Sequence, residues 1–229
     1  MIDDKFIIGG KMYPSIIVDN FFPDPDKIVE FSKQLEYAPD PEGRWPGVRS
    51  QHFYQIDKEF HDFFCRRILR NFYHDLSGVE WTVVAGFQKT KPFAEDQYSI
   101  RNRGWAHFDL ASTFGGIVYL NKNPEPDTGT NLYEEKRGFS YQRDEFLEVK
   151  EKHYKGESVS DEEYARAYHG IRDQFELTTK VEAVYNRLLF FPNTAAHGVE
   201  TFGKNQERLT IAFFGRTTGS TNPPLYRFC

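Results

Sequence analysis

Cysteine is scarce in this chain, with Cys65 and the terminal Cys229 alone among 229 residues. Neither a disulfide framework nor a thiolate metal cluster can be built from two cysteines, so a bound metal would have to take histidine and carboxylate. An excess of one charge is also missing: 29 basic against 34 acidic residues leave a net −5, spread along the sequence rather than gathered in tails. That balance argues against a phosphate-neutralising face, so no nucleic-acid partner is expected. No apolar run approaches the ~20 residues of a membrane helix, and the mean hydropathy is −0.65, so no membrane partner is expected either. Residues 1–11 place acids where a signal peptide carries bases, which makes a cytoplasmic location the expectation. Internal repeats and low-complexity tracts are absent as well.

Aromatic residues are abundant, at 17% with 22 Phe and 13 Tyr, beside 17 Gly and 12 Pro. Bulky rings with many turn formers point to a β-rich core. A length of 229 residues suits one large domain burying roughly 70% of its unfolded surface, so a single domain over 1–229 is expected. A strand-like run from Tyr13 to Phe22 leads to Asp24-Pro25, a helix cap followed by proline at the first helical position, with Ile28, Phe31 and Leu35 at helical spacing. The stretch Tyr37 to Ser50 holds three prolines and two glycines and reads as a long loop, in which Trp45 and Arg49 are expected to approach the functional site. Arg103 and Trp105 are weaker candidates of the same kind. Asp57 caps a second helix whose Phe60, Phe64, Ile68, Phe72 and Leu76 recur every four residues, a stripe that needs a sheet to rest on. Short strands are then expected at Trp81–Phe87, Tyr98–Ile100, Ala106–Leu110, Gly116–Leu120, Arg187–Phe191, His197–Val199 and Arg208–Phe214, interrupted by a helical insertion over about 134–182.

Seven histidines occur, and His52, His61, His74, His153 and His169 read as surface or satisfied core residues. His107-Phe108-Asp109 differs, because two ligand-type side chains one residue apart on a strand share a face. Alone, that triplet reads more readily as an exposed histidine beside a turn aspartate. A third ligand stands 88 residues beyond Asp109, at His197. Two histidines and one carboxylate make the facial triad of non-haem Fe(II) oxygenases, which leaves three positions of an octahedral ion open. Further on, the period-2 pattern sets Arg208, Thr210 and Ala212 on one strand face and Leu209, Ile211 and Phe213 on the other. A guanidinium with a hydroxyl two residues on suits the far carboxylate of a dicarboxylic acid. The plainer account is an edge-strand arginine beside Glu207.

Taken in order, His107-Phe108-Asp109, Ile117-Val118-Tyr119-Leu120-Asn121, Thr128-Gly129-Thr130-Asn131-Leu132, Asn186 to Phe191, Ala196-His197-Gly198-Val199 and Arg208-Leu209-Thr210-Ile211 resemble the Fe(II)- and 2-oxoglutarate-dependent dioxygenases, and within them the prolyl hydroxylase-like branch. The resemblance spans about residues 81 to 215. It implies a mainly β fold with flanking helices: a double-stranded β-helix, the jelly-roll barrel of cupin-like proteins, with N-terminal helices on the sheet. It also implies His107, Asp109 and His197 as catalytic ligands of Fe(II), and Arg208, Thr210 and Tyr119 on the far carboxylate of 2-oxoglutarate, with Tyr98 near that co-substrate. Dioxygen is the implied oxidant, and ascorbate an accessory reductant the family admits. Phe214 stands where the nucleic-acid demethylase branch has a second arginine, and Asp109 is kept where halogenating relatives have a small residue, so hydroxylation of a small-molecule or peptide substrate, a prolyl residue among them, is implied. Two other classes stay open: a cupin-type metal-binding barrel that does not use 2-oxoglutarate, and a non-catalytic binding module on the same fold.

Overall fold

In the computed structural model, residues 15–136 and 144–220 are described. The expectations placed on residues 1–11 and on Cys229 lie outside them. Local signals act where the sequence puts them. Asp24 accepts a hydrogen bond from the Lys27 amide at 3.3 Å and opens helix α1, Pro25–Lys33, with Pro25 at its first position. Asp57 caps α3, Lys58–Leu69, by accepting from the Phe60 amide at 2.9 Å. A short helix α2, Phe53–Ile56, precedes it.

The strands are β1 (Ile16–Val18), β2 (Tyr37–Pro39), β3 (Val48–Ser50), β4 (Val79–Thr90), β5 (Phe114–Tyr119), β6 (Thr130–Glu135), β7 (Phe175–Val181), β8 (Leu188–Pro192), β9 (Ala196–Val199) and β10 (Arg208–Ser220). They form a seven-stranded sheet in the order β1-β8-β5-β10-β4-β3-β2 and a three-stranded sheet β7-β6-β9, with antiparallel pairing in both. Alternation sorts the side chains into two layers. Val118, Leu188, Phe190, Ile211 and Phe213 join the cluster that includes Phe53, Phe64 and Ile68 of the N-terminal helices, while Ile117, Tyr119, Leu189 and Phe191 meet Leu132 and Val181 of the small sheet. The α3 stripe therefore rests on the sheet. Phe64, fully buried, meets the Phe213 ring edge-on at 5.6 Å. Phe64→Ala is expected to lower stability by about 3–5 kcal/mol, the usual cost of emptying a phenylalanine site in a packed core; chemical denaturation measures it, and a loss under about 1 kcal/mol would show that the helix layer does not depend on this contact.

Several expected elements differ. The stretch Tyr37 to Ser50 is a loop bounded by the β2–β3 hairpin, with Tyr37 opposite Ser50; three-residue strands are too short to show a period. The Tyr98–Ile100 and Ala106–Leu110 strands do not form. A 3-10 turn occupies Ile100–Asn102 and a single bridge joins His107 to His197. Among the described residues, the insertion is helical over α4 (Asp144–Lys155) and α5 (Asp161–Arg172), while residues 130–135 and 175–181 are strands β6 and β7 paired to each other. β7 buries only its two end residues, so it carries no alternating signal. Of the histidines expected at the surface or satisfied in the core, His61 and His153 are buried, His153 Nε2 lying 3.1 Å from the Arg101 carbonyl. Phe146, Val149, Tyr164 and Tyr168 of the two helices pack with Trp105, just ahead of the first candidate ligand. Among the described residues, no helix is long and apolar enough to cross a membrane.

Candidate active site

His107 and His197, ninety residues apart, are paired by reciprocal backbone hydrogen bonds of 3.0 and 2.9 Å. Gly104 permits the close approach that sets up this pairing. Its amide donates to the Val199 carbonyl at 2.8 Å, and a Cβ there would lie 2.5 Å from the Val199 nitrogen. The two imidazoles end 4.3 Å apart, centre to centre. Each Nδ1 sits against a backbone carbonyl two residues upstream: His107 on Trp105 at 2.8 Å, His197 on Ala195 at 3.3 Å. A carbonyl only accepts, so each Nδ1 carries its proton and donates, which turns both Nε2 atoms toward the site. These carbonyls are the partners that fix ligand orientation, and the sequence does not reveal them.

Asp109 completes the group. Its Oδ1 is 3.7 Å from His107 Nε2 and its Oδ2 3.3 Å from His197 Nε2, and the ligand atoms of all three residues lie within 4.8 Å of one another. Burial lowers the pKa of His107, the nearby His197 adds to the effect, and together they outweigh the pull of Asp109. Burial alone would raise the Asp109 pKa, but His197, His107 and Arg49 overcome it and hold the carboxyl ionised. Asp109 Oδ2 is buried and, apart from its 3.3 Å approach to His197 Nε2, meets no hydrogen-bond donor among the described residues. A neutral imidazole, an ionised carboxylate and an unsatisfied buried oxygen are the state that a divalent metal requires of its ligands.

The same cavity is lined by Arg208 and Thr130. Arg208 opens β10 opposite Thr90, and its Nε donates to the Thr128 carbonyl at 2.9 Å. Its guanidinium lies 5.5 Å from the Tyr119 ring centre, while Nη2 is buried without a partner. No carboxylate pairs with it among the described residues, and burial lowers its pKa. Tyr119 is buried and bonds its hydroxyl to Thr130 Oγ1 at 2.8 Å; burial raises its pKa. Thr210 is buried on the Arg208 face of the strand, directly opposite Tyr119. Tyr98 is placed elsewhere. It is half-exposed, donates to Asp127 Oδ2 at 2.8 Å and does not line the cavity.

Trp45 and Arg49 do line the cavity, beside the metal-type ligands. Trp105 lines it too, whereas Arg103 lies 3.6 Å from Glu200 and does not. Sequence reasoning missed Gln88 of β4 and Lys150 and Tyr154 of α4, which also form walls. The spacing of Lys150 and Tyr154, one helical turn apart, was the only available signal.

Comparison with known proteins adds the fold. A family model described as "Family of unknown function (DUF6445)" matches residues 4–206. No curated protein matches the chain in sequence. Similar solved structures include a prolyl-4-hydroxylase from Pseudomonas putida, 15% identical over 91% of this chain and 95% of that one, with a TM-score of 0.52. HygX from Streptomyces hygroscopicus with nickel and 2-oxoglutarate bound is 14% identical over 94% and 86%, with a TM-score of 0.57. The non-heme alpha ketoglutarate dependent epimerase SnoN from nogalamycin biosynthesis is 11% identical over 88% and 76%, with a TM-score of 0.50. At such identities the likeness establishes a shared fold, that of Fe(II)/2-oxoglutarate oxygenase structures. Matched over most of its length and folded in this way, the chain belongs to the DUF6445 family.

Proposed function

We infer that the chain is an Fe(II)/2-oxoglutarate-dependent oxygenase that hydroxylates a carbon of a small-molecule or peptide substrate. One observation carries the reading: a buried guanidinium with no acidic partner among the described residues lines the same cavity as two histidines and a carboxylate whose ligand atoms converge. An uncompensated buried charge is costly, and a bound dianion would offset that cost. In this reading the chain works as one domain, and its two sheets are the halves of a double-stranded β-helix.

His107, Asp109 and His197 would hold the metal through two Nε2 atoms and a carboxylate oxygen. When bound, ferrous iron with 2-oxoglutarate and dioxygen supplies oxidative decarboxylation to succinate and carbon dioxide, coupled to insertion of one oxygen atom into a substrate C–H bond. The protein's share is orientation. Arg208 would grip the far carboxylate, with Thr210 and Tyr119 beside it, so that the co-substrate is held at both ends. The Trp105 and Ala195 carbonyls keep the imidazoles aimed, and Phe191, whose ring lies 4.3 Å from His197, limits water around the ligands. The fold-mate HygX, which carries nickel and 2-oxoglutarate, supports this reading.

Anaerobic addition of Fe(II) and 2-oxoglutarate is expected to produce a weak visible charge-transfer band, which arises only when both bind one centre. Admission of air should then release succinate. A cupin-type barrel indifferent to 2-oxoglutarate would show metal binding without the band, and a binding module without turnover would show the band without succinate.

A further inference from the structure

The cavity holds a second group of donors that the proposed metal and 2-oxoglutarate contacts do not use, although the charge of Arg49 also helps hold Asp109 ionised. Arg49 gives Nε and Nη2 to Gln88 Oε1 at 3.2 and 3.1 Å, and its guanidinium lies 4.3 Å from the Trp45 ring centre and 5.7 Å from that of Phe214. A neutral amide and two rings fix it in place, and no carboxylate bonds to it among the described residues. Lys150, half-buried on α4, has neither a hydrogen bond nor an ion pair among the described residues, and its ammonium lies 5.8 Å from the Tyr154 ring centre. Trp45 Nε1 is buried without an acceptor. Arg44 is a different case, because Asp40 and Glu42 already neutralise it.

Acceptors are spent where donors are not. Asp109 is the only carboxylate among the residues lining the cavity. Gln88 Oε1 is occupied by Arg49, and Gln88 Nε2 is occupied by the Pro46 carbonyl at 2.8 Å. Burial lowers the pKa of the Lys150 ammonium and brings the Arg49 guanidinium down to about 10, a penalty that a nearby anion would offset. Outward from the metal-type ligands, a groove shared with Arg49, Trp45 and Phe214 runs past Val84 and Leu110, which are 37% and 69% exposed. Between its charged groups the walls are mostly apolar, with Thr82 and Ser112 the polar exceptions.

Resting on the oxygenase reading, we propose that the substrate carries an oxyanion, carboxylate or phosphate, received by Arg49, Lys150 and the Trp45 N–H, with an apolar body lying along Phe214, Val84 and Leu110. The two cations and the indole donor set the distance from the anion to the carbon presented to the metal, as paired charges do when they fix a ligand's register.

Calorimetric titration of the protein, both alone and loaded anaerobically with Fe(II) and 2-oxoglutarate, tests this with 3-phenylpropionate, 2-phenylethyl phosphate and 3-phenylpropanamide. At least one anionic probe is expected to bind about tenfold or more tightly than the amide, and the tighter of the two anions identifies the group. Arg49→Gln and Lys150→Gln should each bring that ratio to within about threefold of unity, while Arg49→Lys should restore part of it. The visible band, read in the same samples, separates the two claims. A band with anion and amide binding alike overturns the oxyanion site and leaves the oxygenase reading standing. Anion preference without a band overturns the oxygenase reading and supports the site. Displacement of 2-oxoglutarate by the anionic probes would place their anion at Arg208 and overturn the proposal.

Discussion

Asp109→Ala is expected to abolish metal capture while leaving the fold intact. The carboxylate is the one acidic group of the three, and it reaches both imidazoles, at 3.7 and 3.3 Å. Ferrous affinity should fall by more than about 100-fold, since the loss of even an outer partner of a metal ligand costs roughly 10–100-fold. Thermal unfolding reads this directly. Metal at a hundred times its dissociation constant adds about 2.7 kcal/mol to a protein that binds it only when folded, or roughly 5–10 °C for a domain of this size. The unsubstituted protein should show that rise and Asp109→Ala should show none, with the visible band also gone. A variant that kept the rise would place the metal elsewhere.

Arg208→Met is expected to act in opposite directions on two quantities. Removing a guanidinium that is 7% exposed and lacks an acidic partner relieves an uncompensated charge, against the loss of the Thr128 hydrogen bond and the Tyr119 ring contact. The ligand-free protein should therefore gain about 1–3 kcal/mol. Affinity for 2-oxoglutarate should drop by about 10²–10³-fold, in line with the 2–5 kcal/mol that truncating one side of a buried charge pair typically costs. Metal binding should persist, because Arg208 belongs to no ligand. Melting curves with and without 2-oxoglutarate separate these effects. Lower intrinsic stability with unchanged co-substrate affinity would mean that the arginine is a structural strut.

The features that point to this site are legible wherever a strict geometric period governs them. The alternation of Arg208, Thr210 and Ala212 with Leu209, Ile211 and Phe213 is a property of any strand between a helix layer and a cavity: Arg208 and Ala212 line the cavity, and Leu209, Ile211 and Phe213 pack with the helix layer. His107 and Asp109 converge with His197 although they lie on no regular strand, so side chains expected to share a strand face do meet, through an element that does not form. What stays hidden is set by tertiary placement. Nothing local in Phe175–Val181 shows a strand, because partners on β6 rather than side-chain burial define it. Lys150 becomes a wall of the cavity only because α4 folds back over it. Tyr98, placed near the co-substrate by position along the chain, turns outward to Asp127.

The backbone rung between His107 and His197 has a consequence for the order in which the protein matures. Its two halves are ninety residues apart, and such a closure comes late because the intervening chain must first be ordered. A nascent chain that ends before the Ala196–Val199 strand owns two candidate ligands and lacks the third that would bring them to a point. On the proposed oxygenase reading, metal acquisition is thus coupled to completion of the small sheet, and a partly synthesised chain would have no finished centre with which to run uncontrolled redox chemistry.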